Sequence, residues 1–349
     1  MTRALSAAEL AAFAAELDAV RAEVLADLGQ RDVDHIRRMI RVVRYSEAAG
    51  RALLHFGIGP ITFVVGTTAL GAAKILENME VGHNVMHGQY DWTGDPALGG
   101  QAYEWDIVCT GDDWRHYHNY EHHTFTNILG KDRDIGYRVL RVSKAQRWHP
   151  HHLAQPVGAA LLALLFQWGV GMHALRIPET VAGLQSRAEL GRRARPFLAK
   201  AAWQLAKDYL AFPLLAGVNA PRVAAGNLVA NLMRNLWTFA VIFCGHFPAG
   251  VQVFPPTTGE GGESRGAWYV RQINGSANIS GGSLFHVATG HLSHQIEHHL
   301  FPDLPAARYP EIAPRVRAIC EKYGQQYVTG GFVRQLASVG KQLLAGALP

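Results

Sequence analysis

Residues Trp114 to Asn127 read W-R-H-Y-H-N-Y-E-H-H-T-F-T-N. His118 and His122 stand four residues apart, a spacing that places two imidazoles on one helix face with His123 beside them. His116 lies just upstream. An apolar interior cannot satisfy so many ring nitrogens, because a buried polar group without a hydrogen-bond partner is costly. A lone histidine in such a place is most often structural, whereas a cluster at ligand spacing points to metal.

Two other stretches repeat the pattern. E-N-M-E-V-G-H-N-V-M-H, residues 77–87, carries His83 and His87 at i, i+4. G-H-L-S-H-Q-I-E-H-H-L-F-P-D-L-P, residues 290–305, carries Gln295, His298 and His299 at i, i+3 and i+4. Seven histidines exceed the three or four ligands of a single zinc, so two metals are the economical reading. All-nitrogen sites accept iron, zinc, copper or nickel, and spacing does not choose among them. A zinc protease is disfavoured because no H-E-x-x-H occurs. Asp132 and Asp134, in G-K-D-R-D-I-G, are either solvated loop acids or acceptors for imidazole N–H groups.

The chain of 349 residues is long enough for two ordinary domains or for one domain with a membrane portion. Its mean hydropathy of −0.01 suits alternating apolar and polar blocks. The net charge of +5 has no nucleic-acid motif beside it, and the arginines cluster next to apolar segments, so no nucleic-acid partner is expected. Cys109, Cys244 and Cys320 have no metal or redox spacing and read as reduced, which places the polar mass on the cytoplasmic side. No secretory signal is visible in the Ala-rich amphipathic pattern of residues 5–25.

Residues 6–50 read as one or two surface helices, and seven arginines between Arg21 and Arg51 hold this arm in the cytoplasm. An apolar block follows, with Pro60 fitting the turn of a helical hairpin. A single crossing from Leu53 to Ala73 would put the arginines and histidines on opposite faces, so the hairpin is preferred. His83 then lies about 12 Å beyond Ile75 and outside the bilayer. Gln89–Leu153 is polar. Leu153–Leu175 is apolar, but a crossing there would export the basic loop of Arg187 to Lys200, so it reads as an interfacial or buried helix. A second hairpin is expected from Trp203, through a turn at Asn219-Ala220-Pro221, to Cys244. Its return arm carries Asn227, Asn231, Arg234, Asn235 and Thr238 on one face, which should look into the bundle. Arg234 to His246 is about 18 Å of helix, so that arm also emerges from the membrane. A Gly-rich loop, residues 259–266, is expected to be mobile. From Pro310 onward apolar and basic positions alternate in helical fashion, with no evident chemistry.

H-N-V-M-H, H-N-Y-E-H-H and Q-I-E-H-H resemble the three histidine boxes of the membrane fatty-acid desaturases. K-I-L-E-N-M-E, G-K-D-R-D-I-G-Y, N-L-W-T, C-G-H-F-P and G-S-A-N-I-S resemble more narrowly the actinobacterial acyl-CoA branch, over about residues 35–330. The resemblance implies an all-α polytopic membrane protein: two transmembrane hairpins, about 52–82 and 203–246, and a cytoplasmic helical cap, 83–202 and 247–330, carrying a di-metal site. An N-terminal arm (1–50) and a tail (331–349) flank a desaturase domain (51–330). The resemblance also implies two non-haem irons and O2 as co-substrate. The ligands it implies are His83, His87, His118, His122, His123, His298 and His299. Gln295 replaces a leading histidine, and His246 is the candidate for the further ligand that family members recruit beyond the last membrane helix. Asp132, Asp134 and His294 stand behind the ligands, with His291 more plausible there than as a ligand and His286 open to either role. His149, His151 and His152 are assigned to the interface, and His35, His55 and His173 to ordinary structural roles.

An unactivated methylene has no acidic proton and no leaving group, so acid–base side chains could not act on it and a metal oxidant is required. The substrate is then a fatty acyl-CoA or acyl-lipid, drawn from a membrane that is expected to be the bacterial inner membrane. No H-P-G-G haem signature or ferredoxin-type cysteine set is present, which points to a separate ferredoxin-like or cytochrome donor with an NAD(P)H reductase. A hydroxylase on the same scaffold and a non-catalytic metal binder are the competing readings.

Overall fold

The computed structural model describes residues 3–349. Helix α1 (Ala7–Ala26) begins at a capping box in which Ser6 and Glu9 exchange hydrogen bonds. Its Phe13, Leu17, Val20 and Val24 are buried at helical spacing, against Tyr269, Ile296, Leu300 and Val316. The N-terminal arm is therefore part of the wall behind the third histidine stretch.

Helix α2 runs unbroken from Gln30 to Phe56, and α3 covers Gly59–Leu76. The turn lies at Gly57–Ile58, and Pro60 sits in the first turn of α3, where its missing N–H costs nothing. Arg51 lies inside α2, where Glu47 pairs with its guanidinium and the Phe212 ring lies 3.4 Å beneath it. The two helices pack closely through glycines: a Cβ on Gly50 would lie 2.8 Å from the Gly66 carbonyl oxygen.

Residues Gln155–Leu164 form α4 and Phe166–Ala174 form α5, bent by 96° to each other. The single helix expected at 153–175 is thus a broken one. Helix α6 (Arg187–Ala206) passes through a π-turn at Lys207–Ala211, and α7 is the long return helix Ala220–His246. Asn227, Asn231, Arg234, Asn235 and Thr238 on α7 are all buried, which matches the inward polar face expected of them. Asn235 explains the bend: its amide donates to the Leu164 carbonyl at 2.7 Å and accepts from the Gln167 N–H at 3.4 Å. Backbone groups freed at a break in an apolar region must find such partners. Lys74 and Asp208 form a buried ion pair at 3.0 Å, joined by Asn231. Removing one partner of such a pair costs about 3–5 kcal/mol.

Two stretches, Gly59–Met86 and Gly217–His246, are long and apolar enough to cross a membrane. Beyond α7 come α8 (Arg265–Asn274), α9 (Gln295–Leu300), α10 (Tyr309–Lys322) and α11 (Phe332–Ala347). The all-α reading has one small exception, a parallel pair of three-residue strands, β1 (Asn278–Ser280) and β2 (Thr329–Gly331). The terminal stretch set apart as a tail is mostly α11, packed on α4 and α7 with Val339 and Leu343 buried.

Candidate metal centre

Two histidine-bearing segments, Glu77–His83 and Arg115–His122, are π-helical. In an α-helix residues five apart point about 140° away from each other. The wider turn, with its i→i+5 hydrogen bonds, brings them onto one side. The His123 N–H donates to the His118 carbonyl in this way, and the two rings approach to 5.0 Å between centroids. His118, His122 and His123 therefore face one place, while His116, the fourth histidine of the opening stretch, is exposed beside Glu121.

The histidines converge in two groups. His83, His87, His118 and His298 bring one ring nitrogen each within 4.8 Å of the others, and His122, His246 and His299 do the same. The Gln295 amide nitrogen is 2.8 Å from Nε2 of His246, so this side chain stands at the second group. His123 lies between them, its ring 4.8 Å from those of His87 and His298 and stacked at 4.5 Å on His299. The Nε2 atoms of His87, His118 and His298 and both nitrogens of His123 are buried without a hydrogen-bond partner. So many unsatisfied lone pairs in the first group and at His123 fit a cation there, and in the second group Nε2 of His246 and Nε2 of His299 face each other at 3.3 Å, as two ligands of a second cation would.

A narrow cavity runs beside both groups. His83 and His118 of the first and His122 and His246 of the second line it, together with apolar side chains that include Trp105, Tyr117, Phe166 and Val170. Such a site can hold two metals against an apolar ligand of some length.

The fatty acid desaturase family model matches residues 58–331. This chain belongs to the fatty acid desaturase family. The NADPH-dependent stearoyl-CoA 9-desaturase of Mycobacterium tuberculosis is 44% identical to it over 349 aligned residues, 99% of this chain and 82% of that protein. The sn-1 linoleoyl-lipid 6-desaturase of Synechocystis is 27% identical, over 77% of this chain and 76% of its own. The acyl-lipid (8-3)-desaturase of Physcomitrium patens is 28% identical, over 72% and 53%. This desaturase is accordingly an oxidoreductase of fatty acyl chains.

Behind its ring nitrogens the desaturase places a set of acceptors. Nδ1 of His122 is 3.0 Å from Asp132, Nδ1 of His118 is 3.5 Å from Asp134, and Nδ1 of His83 is 3.1 Å from Oδ1 of Asn84. Nδ1 of His299 meets Oε1 of Gln272 at 3.0 Å, and Nδ1 of His298 meets the Tyr309 hydroxyl at 3.4 Å. Such partners fix the tautomer and aim the opposite nitrogen. Asp132 is no solvated loop acid, since it also accepts from the backbone N–H groups of Asn127 and Asp134. Sequence reasoning found the two aspartates and missed Asn84, Gln272 and Tyr309, which carry no spacing signal.

Some assignments change. His173, read as ordinary, places Nε2 3.1 Å from the Asp134 carboxylate, beside the acceptor of His118. His294, read as standing behind the ligands, packs instead on His286 and Ser293, and among the described residues no hydrogen bond joins it to a box histidine. His35 and His291 meet at Glu80. His55 does hold the structural place expected, bonding the carbonyls of Arg51 and Phe212.

Burial holds His87, His118, His123, His298 and His299 below the ordinary imidazole value, in the neutral form that ligates metal. Burial also opposes the charged ring of His122, but the Asp132 carboxylate outweighs it and raises the value. Glu297, between the third-box ligands, is pushed up to about 7 by burial and is tied to Tyr327 and Asn278 on the side of the small sheet.

Proposed function

We propose that this desaturase removes two hydrogens from one C–C bond of a fatty acyl chain, consuming O2 and two electrons, at a non-haem di-iron centre. One iron is assigned to His83, His87, His118 and His298, the other to His122, His246, His299 and Gln295, with His123 between them. When bound, the iron pair supplies the oxidising power that no side chain has against an unactivated methylene. The protein contributes position. Trp105, Tyr117, Phe166 and Val170 give the acyl chain an apolar lining and exclude water, and the ligands that line the cavity with them hold the reactive side at one depth. Asp132, Asp134, Asn84 and Gln272 keep the rings from turning.

Acyl-CoA is the favoured substrate class, since the 44% identical relative is named for stearoyl-CoA. A charged vestibule shares Asn78, Trp105 and Ile107 with the apolar cavity; its Arg44, Lys74, Lys200 and Lys207 are paired with Glu47, Asp208, Glu104 and Asp106. Cys109, Cys244 and Cys320 are free, buried and absent from the metal-binding groups among the described residues. Electrons then come from a separate ferredoxin-like or cytochrome partner served by an NAD(P)H reductase. The apolar helices hold the protein in the bacterial inner membrane, and α2, packed along α3 so that His35 reaches Glu80, keeps its arginines on the same, cytoplasmic side as the histidines.

The observation that carries this reading is the pair of histidine groups, with their converging ring nitrogens, on the wall of an apolar cavity. Iron-loaded protein supplied with stearoyl-CoA, O2, an electron donor and its reductase tests it by mass spectrometry of the product. Alkenes are expected. Hydroxylated chains without alkenes would contradict desaturation, and unaltered substrate would contradict an enzymatic role.

A further inference from the structure

A third cluster lies apart from the two histidine groups. His35 of α2, Glu80 of the first π-turn and His291 of the loop before α9 bring their ligand atoms within 4.8 Å of one another. Nε2 of His35 is 2.6 Å from one Glu80 oxygen, and Nδ1 of His291 is 2.9 Å from the other. Three segments far apart in sequence thus meet on one carboxylate.

Two features go beyond an incidental hydrogen-bonded cluster. The first is charge. Glu80 is 1% exposed, and among the described residues its side chain has no Lys or Arg partner, only the two imidazoles. A buried carboxylate needs a compensating positive charge, and a metal cation held by the same three side chains would supply it. The second is backbone geometry. His291 has φ of 57°, a left-handed conformation rare for a residue with a full side chain, and follows Gly290 at φ of 63°. A Cβ on Gly290 would lie 2.3 Å from the Met79 carbonyl oxygen. Only glycine permits this approach, and the approach delivers His291 to Glu80. His35 is one-fifth exposed, so the cluster is reachable from solvent.

We infer that His35, Glu80 and His291 form a third, mononuclear site for a divalent transition-metal ion. Two imidazoles and one carboxylate are a sufficient protein ligand set for zinc or ferrous iron, with the remaining positions open to water. The ion would tie α2 to the helix bearing His83 and to the loop that leads into Gln295, His298 and His299. This goes beyond the di-iron reading and does not depend on it, because the test reads a difference of one metal whatever the boxes hold.

The full-length protein in detergent, first loaded with ferrous iron, is dialysed against Zn²⁺ and its total metal counted by mass spectrometry. Wild type is expected to hold one more equivalent than His35→Ala and than Glu80→Gln, the latter nearly isosteric but uncharged. Zinc should raise the melting temperature of wild type and not of the variants. Equal metal content in wild type and both variants would overturn the inference. A zinc-edge absorption spectrum of the wild type alone gives an answer that no variant's folding can blur. A zinc shell with two imidazoles and a carboxylate supports the site, and an all-imidazole shell, or no bound zinc, overturns it.

Discussion

The two histidine groups are built from the same boxes and differ in how they are finished. His83, His87, His118 and His298 make an all-imidazole set drawn from all three stretches. His122, His246 and His299 number one fewer, and the neighbouring side chain is the Gln295 amide. Their outer partners differ too. In the first group His83 and His298 lean on a neutral amide and a hydroxyl and His118 stands 3.5 Å from the Asp134 carboxylate, whereas in the second His299 leans on the Gln272 amide and His122 has the Asp132 carboxylate closer, at 3.0 Å. An amide is a weaker donor than imidazole, and a carboxylate behind a ring makes that ring a stronger one. The comparison teaches that two cations of one element can be held side by side at unequal strength, the weaker set partly offset by a charged acceptor.

The largest effect should come from removing a ligand from either group. His118→Ala and His122→Ala are each expected to bring desaturation to background while holding about one metal per chain fewer than wild type. Metal analysis beside product analysis checks this, and a metal content equal to wild type in either variant would break the assignment. Next is Asp132→Asn, expected to lower activity or second-group metal affinity about 10–100-fold, the usual cost of losing such an acceptor. A change under about twofold would remove the charged compensation from the account. Gln272→Leu leaves His299 with the Thr126 hydroxyl as its remaining Nδ1 partner. Its expected loss is at the low end, about tenfold. The smallest effect is assigned to Gln295→His. Under a chelator the wild type should release metal in two phases, second group first, and this variant should slow that first phase a few-fold. Single-phase release from wild type would make the groups equivalent.

The ligands were legible because a histidine is costly in an apolar wall and these recur at helical spacing. His246 was legible as a ligand through the resemblance, at the end of a polar helix face. What stands behind the ligands was mostly hidden. Gln272 and Tyr309 look like any buried polar residues until α8 and α10 close on α9. His35 and His173 were each read as lone rings, since nothing in the local sequence says that Glu80 or Asp134 waits across the fold. The same limit governs the helices. The apolar run at 153–175 was visible, but its 96° bend depends on Asn235, some 70 residues away. Arg51 looked like the end of a polar arm, yet it lies inside α2, with its guanidinium held by Glu47 and laid over the Phe212 ring. Chemistry that repeats locally shows in a sequence, and pairings across the fold do not.

The central claim is that two metals sit in these two histidine groups beside the apolar cavity. An anomalous-difference map recorded at the iron edge from crystals of the iron-loaded protein tests it most directly. The account predicts one peak among His83, His87, His118 and His298 and a second among His122, His246 and His299. A single peak, or none within the two groups, would contradict it.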